Sequence, residues 1–125
     1  MENSFLTLNK IYAYNRSFDL SNKIWDIVIK WNDFAKFTIG KQIVNSSDSI
    51  SANIAEGFGR YHKKDKIKFY YYSNGSLLET VDWLKKAFIR KLISNDEYNF
   101  LMNNVNQLPK ELHQLINFTN SKLKY

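Results

Sequence analysis

The sequence predicts an all-α protein, an antiparallel up-down-up-down bundle of four helices. Three observations carry that prediction. Apolar residues recur at steps of three and four along four long stretches. One proline and four glycines in 125 residues are too few for the turns of an all-β chain. The links between the stretches are short, which sets consecutive helices side by side and antiparallel. The whole chain, 1–125, reads as one domain, and at 44% hydrophobic it can bury a core.

The first helix is predicted over roughly 8–31. Ile24, Ile27, Val28 and Trp31 fall at helical spacing, and Ile11, Tyr12 and Phe18 extend the pattern less cleanly. The run Asn15-Arg16-Ser17 is its weak point, where the helix could start late. The second helix spans 38–58, with a stripe of Ile39, Ile43, Ser46/Ser47, Ile50, Ile54 and Gly57/Phe58. Small residues in its middle let a neighbour approach closely but weaken the helix itself, so packing must hold it.

The third helix, 64–91, carries two stripes. Ile67, Tyr70/Tyr71, Leu77/Leu78, Val81, Leu84 and Phe88 form the first; Phe69, Tyr72, Ser76, Thr80, Trp83 and Ala87 form the second. A bundle needs one buried stripe per helix. The surplus, with Trp25 and Ile29 beside the first helix's stripe, predicts an oligomer interface at Trp25, Ile29, Phe69, Tyr72 and Trp83. The fourth helix, 95–121, opens on a capping-box sequence, Ser94-Asn95-Asp96-Glu97. Tyr98, Leu101, Val105, Leu108, Leu112, Leu115 and Thr119 then mark a heptad seam. Pro109 within it either kinks the helix or begins a new one.

Cysteine is absent, which excludes disulfides, thiolate metal sites and cysteine nucleophiles and suits a reducing cytoplasm. No stretch is long and apolar enough for a membrane span, and Met1 to Leu8 lacks the pattern of a leader. His62 and His113 stand alone, without the spacing of a metal pair. Asp48 and Glu56 lie about 12 Å apart along a helix, too far for a concerted acid–base pair. No catalytic residue, metal ligand or cofactor is read from the chain, which is expected not to be an enzyme.

Gly57-Phe58-Gly59 superficially resembles a phosphate-cradling loop. It follows a helix instead of a strand, and His62 stands where a third glycine belongs. The expected role of Gly57 or Gly59 is a left-handed helix C-cap. Asn53, Glu56 and Arg60 are expected to form a polar tie between the helix end and a neighbour.

The formal net charge of +6 permits binding to nucleic acid, an anionic membrane or an acidic partner. The cations gather in two clusters at opposite ends of the third helix. Arg60, Lys63, Lys64, Lys66 and Lys68 form one; Lys85, Lys86, Arg90 and Lys91 form the other. Both are candidates for phosphate contact. Tyr70, Tyr71 and Tyr72 beside the first could stack on bases, with burial the competing role.

The run from Gln42 to Arg60, with Asn53-Ile54-Ala55-Glu56-Gly57 at its centre, resembles the signature of the four-helix bundle family of 23S rRNA intervening-sequence proteins. Asn74-Gly75-Ser76-Leu77-Leu78-Glu79 is similar to that family's second motif, which contributes Gly75, Ser76 and Glu79. The resemblance covers most of the chain. It implies a small bacterial protein, a bundle of four antiparallel helices that assembles into a homopentameric barrel, with no known enzymatic activity; the cytoplasmic location is expected from the absence of cysteine and of a leader. It also implies kinship with the accessory variability protein of diversity-generating retroelements, which binds nucleic acid and works with a reverse transcriptase. Two positions depart from the family: Asn45 and Asn74 stand where basic residues are common.

Two functions follow from these readings. One is a homo-oligomeric module that binds RNA or an RNA–DNA intermediate through its basic surfaces. The other is a protein-interaction scaffold, an accessory subunit to a reverse transcriptase.

Overall fold

The computed structural model describes residues 6–125; the leader reading therefore lies partly outside it, at residues 1–5. A 3-10 turn at Leu8–Lys10 leads into α1, Tyr12–Val28. A short turn, α2, covers Asp33–Ala35 and passes directly into a π-helical segment, Lys36–Gly40. Then come α3, Lys41–Phe58, α4, Lys63–Ile89, and α5, Asn95–Lys122. Among the described residues all regular structure is helical.

The four long helices pack in the cyclic order α1, α3, α4, α5, with α5 closing back on α1. Sequence neighbours are spatial neighbours, and α1 and α4 stand at opposite corners. One end of the bundle therefore gathers the C-termini of α1 and α4 with the N-termini of α3 and α5. The opposite end gathers the remaining termini.

The α5 seam buries as its heptad spacing predicts. Leu101, Val105, Leu108, Leu112, Leu115 and Thr119 are inside, and half-buried Tyr98 stacks on Phe88 at 4.2 Å between ring centroids. The capping box forms in both directions. Ser94 Oγ accepts from the Glu97 N–H at 3.1 Å, and Glu97 Oε1 accepts from the Ser94 N–H at 2.9 Å. Helix α5 continues through Pro109, whose side is exposed, and does not restart there.

The small-residue face of α3 is the tightest seam. Ser46, Ser47 and Ser51 are buried, and their hydroxyls donate to carbonyls one turn back in α3. Two bonds cross to α4: Thr80 Oγ1 to Ser46 Oγ at 2.9 Å, and Ser73 Oγ to the Ile50 carbonyl at 2.7 Å. The bond to the Ile50 carbonyl satisfies the buried Ser73 hydroxyl, which would otherwise be penalised, while Thr80 shares its proton between Ser46 and the Ser76 carbonyl of its own helix.

Several expectations need correction. Asn15-Arg16-Ser17 lies well inside α1. Ser17 is buried with its hydroxyl on the Tyr14 carbonyl, and Arg16 reaches α5. Tyr12 and Phe18, read as part of α1's buried pattern, face out. Residues 32–37, read as a connection, are mostly helical. No glycine caps a helix in the left-handed region. Gly59 ends α3 with ordinary right-handed angles. The left-handed residue is Lys91 (φ 63°), in a Schellman closure of α4: its N–H bonds the Phe88 carbonyl, and that of Leu92 bonds the Ala87 carbonyl.

The stripes of α4 also divide differently. Tyr70, Ser73, Leu77, Thr80, Leu84 and Ala87 point inward, drawing from both predicted stripes. Tyr71, Gly75 and Leu78 line the outer face. Of the predicted interface residues, Trp25, Ile29 and Tyr72 are exposed. Phe69 and Trp83 are half-buried with partners in their own chain: Phe69 meets Tyr72 edge-on, and Trp83 donates its indole N–H to Glu79 Oε2 at 3.1 Å.

Candidate nucleic-acid interface

Helix α4 separates the two basic clusters by its own length, about 40 Å for its 27 residues. The cluster at its N-terminus is largely committed to holding the fold. Lys63 extends its ammonium to the Asn120 and Leu123 carbonyls, both at 3.2 Å, and its main-chain N–H donates to the Tyr125 oxygen. Lys66 donates to the Phe58 carbonyl at 2.6 Å and lies over the Phe58 ring. Burial lowers its pKa, the sign of an ammonium partly removed from water. These two lysines thus cap the orphan carbonyls at the ends of α5 and α3.

Arg60 pairs with Glu56 at 2.9 Å and lies over the Phe69 ring, 4.6 Å from its centroid. That contact ties the end of α3 to α4. Asn53 takes no part in it, because its amide bonds the Ser49 carbonyl one turn back. Lys68 approaches Asp65 at 3.8 Å, and Lys64 is exposed. The adjacent tyrosines divide as well. Tyr70 is fully buried, its phenol pushed up to about 12 by desolvation, with a hydrogen bond to Thr119 acting the other way. Tyr71 and Tyr72 face solvent.

The cluster at the other end is freer. Lys86 is held by Asp82 and lies over the Trp83 ring. Lys85, Arg90 and Lys91 are exposed, and none enters an ion pair among the described residues. The topology adds Lys30 and Lys41, also exposed, from the end of α1 and the start of α3. Asp33 is exposed at the same end. Asp96 and Glu97 lie in the first turn of α5, where negative charge suits the helix dipole.

The remaining candidates are structural in their surroundings. Gly57 lies inside α3, where a Cβ would come within 2.9 Å of the Lys66 carbonyl oxygen and of Phe69 Cβ, and 2.8 Å of Tyr70 Cε1. Gly75 is exposed on α4, with open space where a Cβ would be. Ser76 offers its carbonyl to Thr80, and Glu79 holds Trp83. Asn45 is exposed and Asn74 half-buried. His113 contacts Asn117 at 3.2 Å, and His62 stands edge-on to Tyr61 just before α4.

One polar cluster was not visible in the sequence. Arg16 of α1 donates to Glu111 Oε1 at 2.9 Å and Asn104 Oδ1 at 3.2 Å, joining α1 to α5 along a cavity of about 450 Å³. The partners are about ninety residues apart along the chain, and no local spacing signals them.

The small-residue seam, the close approach at Gly57 and the exposed Gly75 all fall within a stretch that a family model covers. That model, described as 23S rRNA-intervening sequence protein, matches residues 9–114. The chain belongs to this family. A solved structure agrees in fold: a protein of unknown function from the S23 ribosomal protein family of Bacteroides thetaiotaomicron. It is 25% identical and superposes with a TM-score of 0.77, covering 83% of this chain and 97% of its own. Among curated proteins none matches the sequence. Among the described residues no helix is long and apolar enough to cross a membrane.

Proposed function

We propose that this family member is a non-enzymatic, self-associating cytoplasmic bundle that binds RNA or an RNA–DNA intermediate. Binding uses the end where α4 finishes and α3 begins. The supporting observation is the contrast between the two clusters. Lys63 and Lys66 spend their charge on helix carbonyls, whereas Lys85, Arg90 and Lys91 present theirs to solvent. Phosphates that displace counterions at those side chains supply a salt-dependent affinity. The affinity for a short RNA strand is expected to fall with salt with a log–log slope of about −2 to −4, for some three to five contacts. A slope near zero would argue against charge as the basis of binding.

Self-association is supported by two exposed stripes. On α1, Phe18, Trp25 and Ile29 share one face; on α4, Tyr71, Gly75 and Leu78 share another. Because α1 and α4 occupy opposite corners, a contact between the two faces is heterologous. Repeated with a rotation that closes, such a contact gives a ring, the arrangement of the homopentamer that the family resemblance implies. Leu78 is 63% exposed, so Leu78→Glu charges the face without opening the core. Native mass spectrometry is expected to show a pentamer for the natural chain and a monomer for the variant. A monomeric natural chain at high concentration would remove the ring from the proposal.

A further inference from the structure

Burial runs against size in the segment between α1 and α3. Over residues 33–40 the inward positions are Ala35, Ile39 and Gly40. Phe34 and Phe37, the two largest apolar side chains there, are 81% and 71% exposed. A phenylalanine left in water forfeits one of the larger transfer energies available to any side chain.

This exposure belongs to an anchored segment. The Asn32 side chain caps α2 by accepting from the Ala35 N–H at 3.0 Å, and Thr38 Oγ1 donates to the Phe34 carbonyl at 2.6 Å. Gly40 presses the segment onto α1, since a Cβ there would lie 2.8 Å from Val28 Cγ1. The five residues Lys36–Gly40 adopt the rare π-helical winding, which recurs at functional positions in other helices.

Phe34 also borders a groove of about 210 Å³ whose other wall comes from the end of α4. Ile39 and Leu92 give it apolar walls, while Asn32, Thr38 and Arg90 supply polar groups. Lys36 and Lys41 flank Phe37 in the chain, and Lys91 follows Arg90. Asp33 is the acidic neighbour.

We infer that Phe34 and Phe37 form a stacking platform for unpaired bases of a single-stranded nucleic acid, with the edge of one base entering the groove beside Arg90. Exposed aromatic faces bind bases by stacking, and nearby cations track the phosphates. The Arg90 guanidinium, the Asn32 amide NH2 and the acceptor side of the Thr38 hydroxyl suit base edges, whereas an acyl chain in the groove would leave the guanidinium without a partner. A duplex conceals the base faces and is a poor fit. This inference rests on the nucleic-acid reading above and narrows it to single strands at this end.

The test is fluorescence anisotropy with labelled short single strands of RNA and of DNA, the matching duplex, and anionic phospholipid vesicles. The natural chain is compared with the Phe34→Ala/Phe37→Ala double variant, whose substitutions are exposed and should leave the melting temperature unchanged. Single-strand affinity is expected to fall about tenfold or more in the double variant. RNA and DNA strands should respond alike, and duplex affinity should stay within about twofold, since stacking uses neither the 2′-hydroxyl nor paired bases. Unchanged single-strand affinity in the double variant would overturn the platform while leaving the nucleic-acid reading standing. A natural chain that binds no nucleic acid would overturn both. Vesicle binding lost in the variant, with strand binding kept, would reassign the phenylalanines to a membrane surface.

Discussion

Gly57→Ala is expected to destabilise the chain by about 2 kcal/mol, while Gly59→Ala, two residues on, should cost nothing or stabilise it slightly. Two opposing terms meet at Gly57. Alanine is a better helix former than glycine by about 1 kcal/mol in a helix interior. Against that, its Cβ would sit 2.9 Å from the Lys66 carbonyl oxygen and from Phe69 Cβ. Neither is the tip of a flexible side chain, so α4 itself must move away from α3. Forcing atoms into a packed seam typically costs about 1–3 kcal/mol, and moving a backbone lies at the upper end. The seam also carries the Thr80–Ser46 and Ser73–Ile50 bonds, which a displacement would lengthen. The clash therefore wins.

At Gly59 the backbone is already right-handed, and the nearest atom to an added Cβ is a carbonyl oxygen at 3.5 Å. Alanine there mainly restricts the unfolded chain, a gain of about 0.5 kcal/mol. Thermal melts followed by circular dichroism should separate the two variants by roughly 10 °C for a domain of this size. Equal melting temperatures would mean that α3 and α4 do not approach as closely as the seam indicates.

Where local spacing decides burial, the sequence was readable. The α5 seam and its capping box are local patterns, and both form as their spacing predicts. The small-residue stretch of α3 likewise announced a close neighbour. Features set by distant partners were not readable. Arg16 interrupts an apolar pattern because Glu111 and Asn104 await it on α5, and nothing near Arg16 in the chain says so. In α4 both faces carry apolar residues, so periodicity could not say that Tyr70 turns inward while Tyr71 and Leu78 turn outward. The inward face is the one whose Ser73 and Thr80 meet the Ile50 carbonyl and Ser46 of α3. The glycines misled for a related reason: a glycine near a helix end suggests a left-handed cap, but Gly57 is needed for the side of α3 that meets α4. Phe34 and Phe37 fell in a short link, where apolar residues are read as loop filler. The Asn32-Asp33 start, a helix N-cap followed by acid, was the available signal for a further turn.

The same distinction between charge that folds and charge that is free sets the second large expectation, a comparison of reversals at the two ends of α4. Lys85→Glu, Arg90→Glu and Lys91→Glu together remove six charge units and bring the formal +6 to zero. None of the three makes an ion pair among the described residues, and each substitution leaves the core untouched. Affinity for a short single strand is expected to fall by about a hundredfold or more, with the salt slope shallower by about 2 for three lost contacts. Glutamates at the C-terminal end of α4 oppose its dipole by about 0.3–1 kcal/mol each, so the melting temperature should also fall by a few degrees, and the affinity is compared where the variant is folded.

Reversing Lys63 and Lys66 should differ in its effect on binding. Their ammonium groups sit on the Asn120, Leu123 and Phe58 carbonyls, at the negative ends of α5 and α3. A carboxylate placed there loses those bonds and opposes the dipoles of α5 and α3, while residue 63, first in α4, gains a smaller favourable term from that helix's N-terminus, leaving a cost of about 1–2 kcal/mol. That pair should therefore lower the melting temperature by several degrees while retaining most of the affinity, measured where the variant is folded. If binding instead vanishes with the Lys63/Lys66 pair and survives the triple reversal, the interface lies at the other end of α4. The free cations at α4's C-terminus would then serve only to keep the surface charged.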